Sequence, residues 1–303
     1  MISDTVVKTF RRFVPEENIR LREPMSSHTT FRIGGEAECF IEIENEEQLK
    51  ALQEYLRKLE MPYMVLGNGS NVLFSDLGYE GVILEIGSRM SDIRAEGNLL
   101  IVQAGALMAK AARYACEHAL AGLEFISGIP GTMGGGVVMN AGAYGGELAQ
   151  VVKSVRVLDR EGNFLELDNQ TMEFGYRTSA IRNGGFTVVE VRLELEPGDP
   201  EAINAAMEEL AKKRREKQPL EYPSAGSTFK RPKGYFAGEL IMKAGLRGYQ
   251  LGGARVSDKH CGFVINAGNA SSADVTELIQ YIQEQVKEKF GVNLEPEVIL
   301  VDG

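Results

Sequence analysis

Cysteine occurs at only three positions, Cys39, Cys116 and Cys261, and none of them stands in C-x-x-C spacing. So sparse a set argues against a disulfide framework and fits a reducing compartment. Histidine is as scarce: His28, His118 and His260 lie far apart in the chain. His260 stands beside Cys261 but lacks the further ligands that a zinc site requires, so no metal centre is expected. Positive charge is in deficit, with 33 Lys and Arg against 43 Asp and Glu and a formal net charge of −10. Nucleic acid is therefore not expected as a partner, because phosphate backbones recruit basic surfaces. The densest basic run, "KKRREK" at 212–217, reads as the solvated face of a helix. No apolar run is long enough to cross a bilayer, and the opening "MISDTVVKTFRRFVPEEN" has neither an apolar core nor a cleavage pattern. A cytoplasmic protein with no membrane partner is expected, and a monomer is favoured. Two familiar nucleotide signatures are also missing: no glycine turn ends in G-K-[ST], and no G-x-G-x-x-G occurs.

What remains is ample for folding. The chain has 303 residues, 44% of them hydrophobic, enough for a large core and at least two domains. In "EEQLKALQEYLRKLE", Leu52, Tyr55, Leu56 and Leu59 fall at helical spacing, and Pro62 closes the element. "YMVL", "GVILEIG" and "NLLIVQAG" read as strands, and "LMAKAARYACEHAL" reads as a helix. "VVKSVRVLD", "NFLEL" and "FTVVEVRLELE" follow as strands, with a hairpin turn at Glu161-Gly162-Asn163. Past Pro197 the composition shifts to a helix that ends before Pro219. "AGELIMKAG" reads as a short helix, "CGFVIN" as a strand, and a long helix begins near Ser272, with Val275, Leu278, Ile279, Ile282, Val286 and Phe290 on one face. "NLEPEVILVDG" reads as a last strand. Strands and helices alternate too irregularly for a doubly wound sheet, so the class is α+β. The expected domains are residues 1–197, itself two subdomains split near 85, and 198–303.

Glycine is where chemistry enters. In "VLGNGSNVLF", Val65–Phe74, successive N–H groups of a glycine turn can converge on a phosphate without any side-chain charge; the plain reading is a tight hairpin. "SGIPGTMGGGVVMNAGAYGGE", Ser127–Glu147, holds eight glycines and no Lys or Arg. Gly134-Gly135-Gly136 would leave N–H groups unshielded, and Asn140 and Tyr144 offer polar contacts. Two such segments suit a diphosphate better than a monophosphate. Other stretches are weak alone: "FRIGG" as a strand end with a surface Arg32, Arg177 in "YRTSAIR", Ser227 in the turn "PSAGSTFKRP", and Glu297 in "LEPEV".

Taken together and in order, "TTFRIGG", "VLGNGSN", the glycine stretch, "FGYRTSAIR", "AGSTFKRP", "GGARVSDKHCGFVIN" and "LEPEV" resemble the UDP-N-acetylenolpyruvoylglucosamine reductase family, from about residue 25 to the C-terminus. The resemblance implies an FAD-binding fold of the vanillyl-alcohol-oxidase type, made of two α+β subdomains, and a C-terminal α+β substrate-binding domain. It implies non-covalent FAD held by Arg32, Gly67, Asn68, Gly69, Ser70, Asn71, Ser127, Gly128, Ile129, Pro130, Gly131, Gly134, Gly135, Asn140 and Gly142. The substrate would be UDP-N-acetylglucosamine enolpyruvate, contacted by Tyr176, Lys217 and Lys230. NADPH would supply electrons by way of FAD, and the enolpyruvyl double bond would become the lactyl ether of UDP-N-acetylmuramate in peptidoglycan synthesis. Arg177 and Glu297 would stabilise the charge that develops, and Ser227 would give the proton. Ile181 and Ile299 depart from residues common in the family, Phe and Arg. The chain also lacks the inserted segment that carries a substrate-capping Tyr. Two other functions compete: an alcohol oxidase or dehydrogenase of the same fold, many of which attach flavin through a His or Cys although no pattern singles out His28 for this, and a non-catalytic regulator that binds FAD or a nucleotide sugar.

Overall fold

The computed structural model describes residues 2–302. Two compact units emerge, and both are discontinuous. The first takes the chain through Leu21, then Cys39–Asn68 and Gly81–Arg214. The second takes Arg22–Glu38, Gly69–Glu80 and the chain from Arg215 onward. Both expected boundaries, near 85 and near Pro197, fall inside the segment Gly81–Arg214 of the first unit. Pro197 pairs with Leu120 in a short antiparallel ladder, and a Cβ on Gly198 would meet Ala121 at 2.7 Å, so the turn is packed within the first unit. A turn signal marks a change of direction, not a loss of contact.

In the first unit a five-stranded antiparallel sheet runs in the order Phe164–Asp168, Val152–Leu158, Thr187–Glu194, Leu99–Gln103 and Ile93–Glu96. Its central strand is buried on both faces except near its end, and the two charges in "TVVEVRL", Glu190 and Arg192, are paired at 3.4 Å. The expected hairpin is present: Asn163 N donates to Asp159 Oδ1 at 2.7 Å, and Gly162 has φ +87°. The helix Glu46–Lys58 is capped by Asn45, whose side chain accepts from Gln48 N. It buries Leu49, Leu52, Gln53 and Leu56. Leu59, expected on that stripe, lies past the last helical residue and is 42% exposed.

The triple glycine is helical, over Met133–Val138, although glycine disfavours helix interiors. Close packing explains the choice. A Cβ on Gly134 would sit 2.9 Å from the Ala104 Cβ, and one on Gly136 2.7 Å from the Met108 sulfur. The N–H groups expected to be unshielded are spent inside the protein. Gly134 N donates to Ala104 O, Gly135 N to Thr132 Oγ1 and Gly136 N to Thr132 O.

The second unit has its own core, built around the helix Ser272–Phe290. Val275, Leu278, Ile279, Ile282 and Val286 are buried as the periodicity predicts, whereas Phe290 in the last position before the Gly291 cap is 37% exposed. A three-stranded sheet, Gln250–Leu251, Ala254–Val256 and Val264–Asn266, packs beside it. Of the expected last strand only Ile299–Val301 forms, parallel to Val72–Phe74. The plain hairpin reading of "VLGNGSNVLF" fails for the same reason: Tyr63–Leu66 pairs in parallel with Val82–Glu85, and Val72–Phe74 pairs elsewhere.

The long helix is capped twice. Ser271 and Asp274 form a capping box. The Asp76 carboxylate also accepts from Ser272 N at 2.8 Å, the Ser272 hydroxyl at 2.8 Å and Ala273 N at 3.3 Å. Asp76→Ala is expected to lower stability by about 1–2 kcal/mol, since it removes acceptors at the positive end of the helix. Thermal melting checks this, and an unchanged midpoint would show the second cap to be idle.

Candidate active site

The glycine segments meet in the first unit around a cavity of about 470 Å³. Gly67, Thr132, Gly134 and Gly135 form one wall. Val65, Ile86, Val138, Ile181 and Val188 supply apolar surface, and Arg160 and Arg182 supply positive charge. No Asp or Glu lines it. Contact between the two segments is direct, because a Cβ on Gly67 would come within 2.2 Å of Thr132 Oγ1. The cavity is of the size usual for cofactor sites, and a slot of mixed apolar and polar lining with a glycine wall and two cations fits an aromatic, anionic dinucleotide. The residues present therefore fit FAD. Ile181, which departs from the family's common Phe, is a wall residue of this cavity.

Thr132, Arg160 and Arg182 are site residues that the sequence patterns do not single out. Thr132 is buried and N-caps the glycine helix; nothing but its place before "MGGG" marks it. Arg160 sits in an ordinary hairpin turn, and only the fold aims it at the cavity. Arg214 breaks the expectation of a solvated basic face at 212–217. A Cβ on Gly128 would meet its Cδ at 2.6 Å, and burial pushes its guanidinium below the ordinary arginine value.

The other expected cofactor contacts are divided. Ser127, Gly128, Ile129, Pro130 and Gly131 precede the glycine helix in the first unit, and the Ser127 hydroxyl donates to Glu124 O at 2.7 Å. Asn68 belongs to the first unit and is exposed. Gly69, Ser70, Asn71 and Arg32 belong to the second. Gly69 is required as glycine, since its φ is +58° and a Cβ would lie 2.0 Å from His28 O. Asn140 is fully buried, and its carboxamide is bonded within the protein: Nδ2 donates to Gly175 O and Oδ1 accepts from Ala149 N.

Arg177 lies in a two-residue turn beside the exposed Tyr176, with its guanidinium 5.1 Å from that ring. Its backbone is left-handed, φ +56°, and its Nη2 donates to Gly142 O at 3.0 Å. Arg182 Nη1 donates to Arg177 O at 3.1 Å.

The second unit gathers five of the remaining motifs. Phe229 and Pro296 form an isolated antiparallel bridge, flanked by Glu297 N to Thr228 O and Lys230 N to Glu295 O, both 2.8 Å. "GSTFK" and "LEPE" are thereby set side by side. Glu295 and Glu297 flank this bridge rather than sharing a regular strand. Asn71 Nδ2 donates to Glu297 O at 3.1 Å. Thr30 Oγ1 donates to Ser224 O at 2.7 Å, and Asn266 Nδ2 to Phe31 O at 3.3 Å. Ser227 is exposed between Gly226 and the buried Thr228. The Lys230 ammonium is ion-paired with Glu295, and Lys217 is exposed at the end of its helix.

His260 is half-buried, with Nδ1 accepting from Gly262 N at 3.1 Å and burial lowering its pKa. The His28 ring is bonded to Glu23 at 2.8 Å. Among the described residues no group of three His, Cys, Asp or Glu could hold a metal, and no helix is long and apolar enough to cross a membrane.

Comparison with known proteins agrees with these features. Residues 37–168 match the FAD binding domain, and residues 218–301 match the C-terminal domain of UDP-N-acetylenolpyruvoylglucosamine reductase. The UDP-N-acetylenolpyruvoylglucosamine reductase of Caldanaerobacter subterraneus subsp. tengcongensis is 49% identical over 99% of both chains. The crystal structure of the reductase from Thermus caldophilus is 36% identical, covers 93% of this chain and 99% of its own, and superposes with a TM-score of 0.81. An alkyldihydroxyacetonephosphate synthase, 14% identical over 65% of this chain and 41% of its own, shares the fold with a TM-score of 0.51. The expected α+β class, with an FAD-binding fold of the vanillyl-alcohol-oxidase type and a separate C-terminal domain, is borne out. With that identity over nearly its whole length, the chain belongs to the UDP-N-acetylenolpyruvoylglucosamine reductase family.

Proposed function

We propose that the protein reduces the enolpyruvyl group of UDP-N-acetylglucosamine enolpyruvate to the lactyl ether of UDP-N-acetylmuramate, with NADPH as reductant and FAD as carrier. The observation that carries this reading is the Phe229–Pro296 bridge, which brings the Ser227 and Glu297 segments together in the C-terminal half. FAD, when bound, supplies the chemistry of taking hydride from NADPH and releasing it to carbon. The cavity of Gly67, Gly134 and Gly135 would hold it, and Arg160 and Arg182 would lend positive charge there.

The chain's own residues do the rest. As hydride reaches the terminal carbon of the double bond, negative charge builds on the neighbouring carbon and its carboxylate. Arg177 meets that charge as a cation already anchored on Gly142 O. Glu297 holds the enol form by hydrogen bonding. Ser227 passes its hydroxyl proton to the carbon and recovers one from water; a weak acid serves because the carbanion is a strong base. Tyr176 and Lys217 contact the UDP-sugar, and Lys230 assists while paired with Glu295. The step belongs to peptidoglycan precursor synthesis, in the cytoplasm, carried out by a monomer.

An anaerobic spectrum tests this. NADPH should bleach the flavin band, and UDP-N-acetylglucosamine enolpyruvate should restore it without oxygen. Recovery only on admitting air would instead favour an oxidase of the same fold, and colourless protein unable to take up FAD would overturn the reading.

A further inference from the structure

We infer that Asn140 is a positioning residue: its carboxamide fixes the turn that carries Arg177, so the guanidinium is set before substrate arrives. The inference rests on the role proposed above for Arg177. Three hydrogen bonds tie the end of the glycine helix and the segment after it to the Arg177 turn and its flank, and they come from alternate residues. Val138 O accepts from Ser179 Oγ, Asn140 Nδ2 donates to Gly175 O, and Gly142 O accepts from Arg177 Nη2, each at 3.0 Å. Asn140 is the middle rung and the one made by a side chain of this segment. Its Oδ1 also accepts from Ala149 N at 2.9 Å, so the carboxamide is locked at both ends and has 0% exposure.

The carbonyl that it holds closes the turn. Gly175 N donates to Thr178 O at 3.1 Å and Thr178 N donates to Gly175 O at 3.3 Å, which leaves Tyr176 and Arg177 as the two central residues. Gly175 O thus accepts two donors, one for each lone pair. The backbone needs that support. Arg177 has φ +56° and Asn140 has φ +42°, and left-handed backbone at a long side chain persists only where its surroundings impose it. Asparagine suits both tasks at 140, because it tolerates the left-handed region and carries a donor and an acceptor. If the turn relaxes, the Arg177 Cα–Cβ vector swings and the charge leaves its place. A merely structural buried Asn would stabilise the fold without affecting one half-reaction more than the other.

The test is a double-mutant cycle on the full-length flavoprotein, with each half-reaction followed separately. Asn140→Asp keeps size and the acceptor for Ala149 N but sets a carboxylate against Gly175 O; Asn140→Ala removes both bonds. Each is made alone and with Arg177→Ala. NADPH bleaching reports the first half-reaction, and anaerobic recolouring by UDP-N-acetylglucosamine enolpyruvate reports the second. With Arg177 present, either substitution should slow recolouring about tenfold or more and leave bleaching within about twofold; with Arg177→Ala already in place, it should change recolouring less than about twofold. Equal slowing in both backgrounds, equal slowing of both half-reactions, or no slowing overturns the inference. Should Asn140→Ala fail to fold, the near-isosteric Asp variant decides. Native recolouring by Arg177→Ala alone would overturn the role of Arg177 and the inference with it, an outcome distinct from the others.

Discussion

Ser227→Ala should yield a yellow protein that NADPH bleaches at the native rate and that the enolpyruvyl substrate recolours about a thousandfold more slowly, the middle of the range for a lost proton donor. The size of the effect follows from what surrounds the serine. Thr228 N donates to Gly262 O at 2.8 Å, and Thr228 Oγ1 accepts from Val264 N at 2.9 Å. Phe229 is buried and bridged to Pro296. The turn is therefore held by its neighbours, and removing an exposed hydroxyl leaves the frame intact. What is lost is one transferable proton, and water without a fixed position is a poor replacement. Rapid-mixing absorbance under anaerobic conditions separates the two half-reactions. A native rate of recolouring would take Ser227 out of the mechanism.

Gly67→Val should purify without flavin colour, with FAD affinity at least about a hundredfold weaker, equivalent to about 2.8 kcal/mol. The new Cβ would stand 2.2 Å from Thr132 Oγ1 and 3.3 Å from Thr132 Cβ. Thr132 is 4% exposed and cannot simply turn away. Moving it also loses the cap on Gly135 N, worth about 1 kcal/mol. The valine methyls would then occupy the space between Gly67 and Gly134–Gly135. A relief experiment sharpens the argument. Gly67→Ala should weaken FAD binding by itself, and adding Thr132→Ala should restore part of it, since the nearest clash is with the hydroxyl that the second change deletes. Quenching of flavin fluorescence on titration measures the affinity, and melting confirms that the variants fold. Native affinity in Gly67→Val would show that FAD does not lie against this glycine.

Much of the fold was legible along the chain. Leu52, Tyr55 and Leu56 and the face of the helix Ser272–Phe290 each reflect a period set by local backbone geometry. The errors fall at element ends, as with Leu59 and Phe290, where periodicity continues but the neighbours stop. The glycine stretch was legible as a place where backbone comes close, but its purpose was not. The N–H groups of Gly134 and Gly136 serve the protein's own hydrogen bonds, and the absent Cβ atoms admit Ala104 and Met108.

The sequence by itself determined the α+β class, most strands and helices, the family, and the motif residues Arg177, Ser227 and Glu297. These rest on short-range patterns and on residue types in order, both of which survive in a linear string. Only the tertiary structure decided which motifs meet. It joined Gly67 to Thr132 across the cavity wall, set the segments of Ser227 and Glu297 side by side through one bridge, and turned Arg160 toward the cavity. It also withdrew Asn140 from the surface to hold the Arg177 turn. Each of these depends on contacts between residues dozens to scores apart in sequence, and their energy comes from burial and hydrogen-bond geometry that no local window contains.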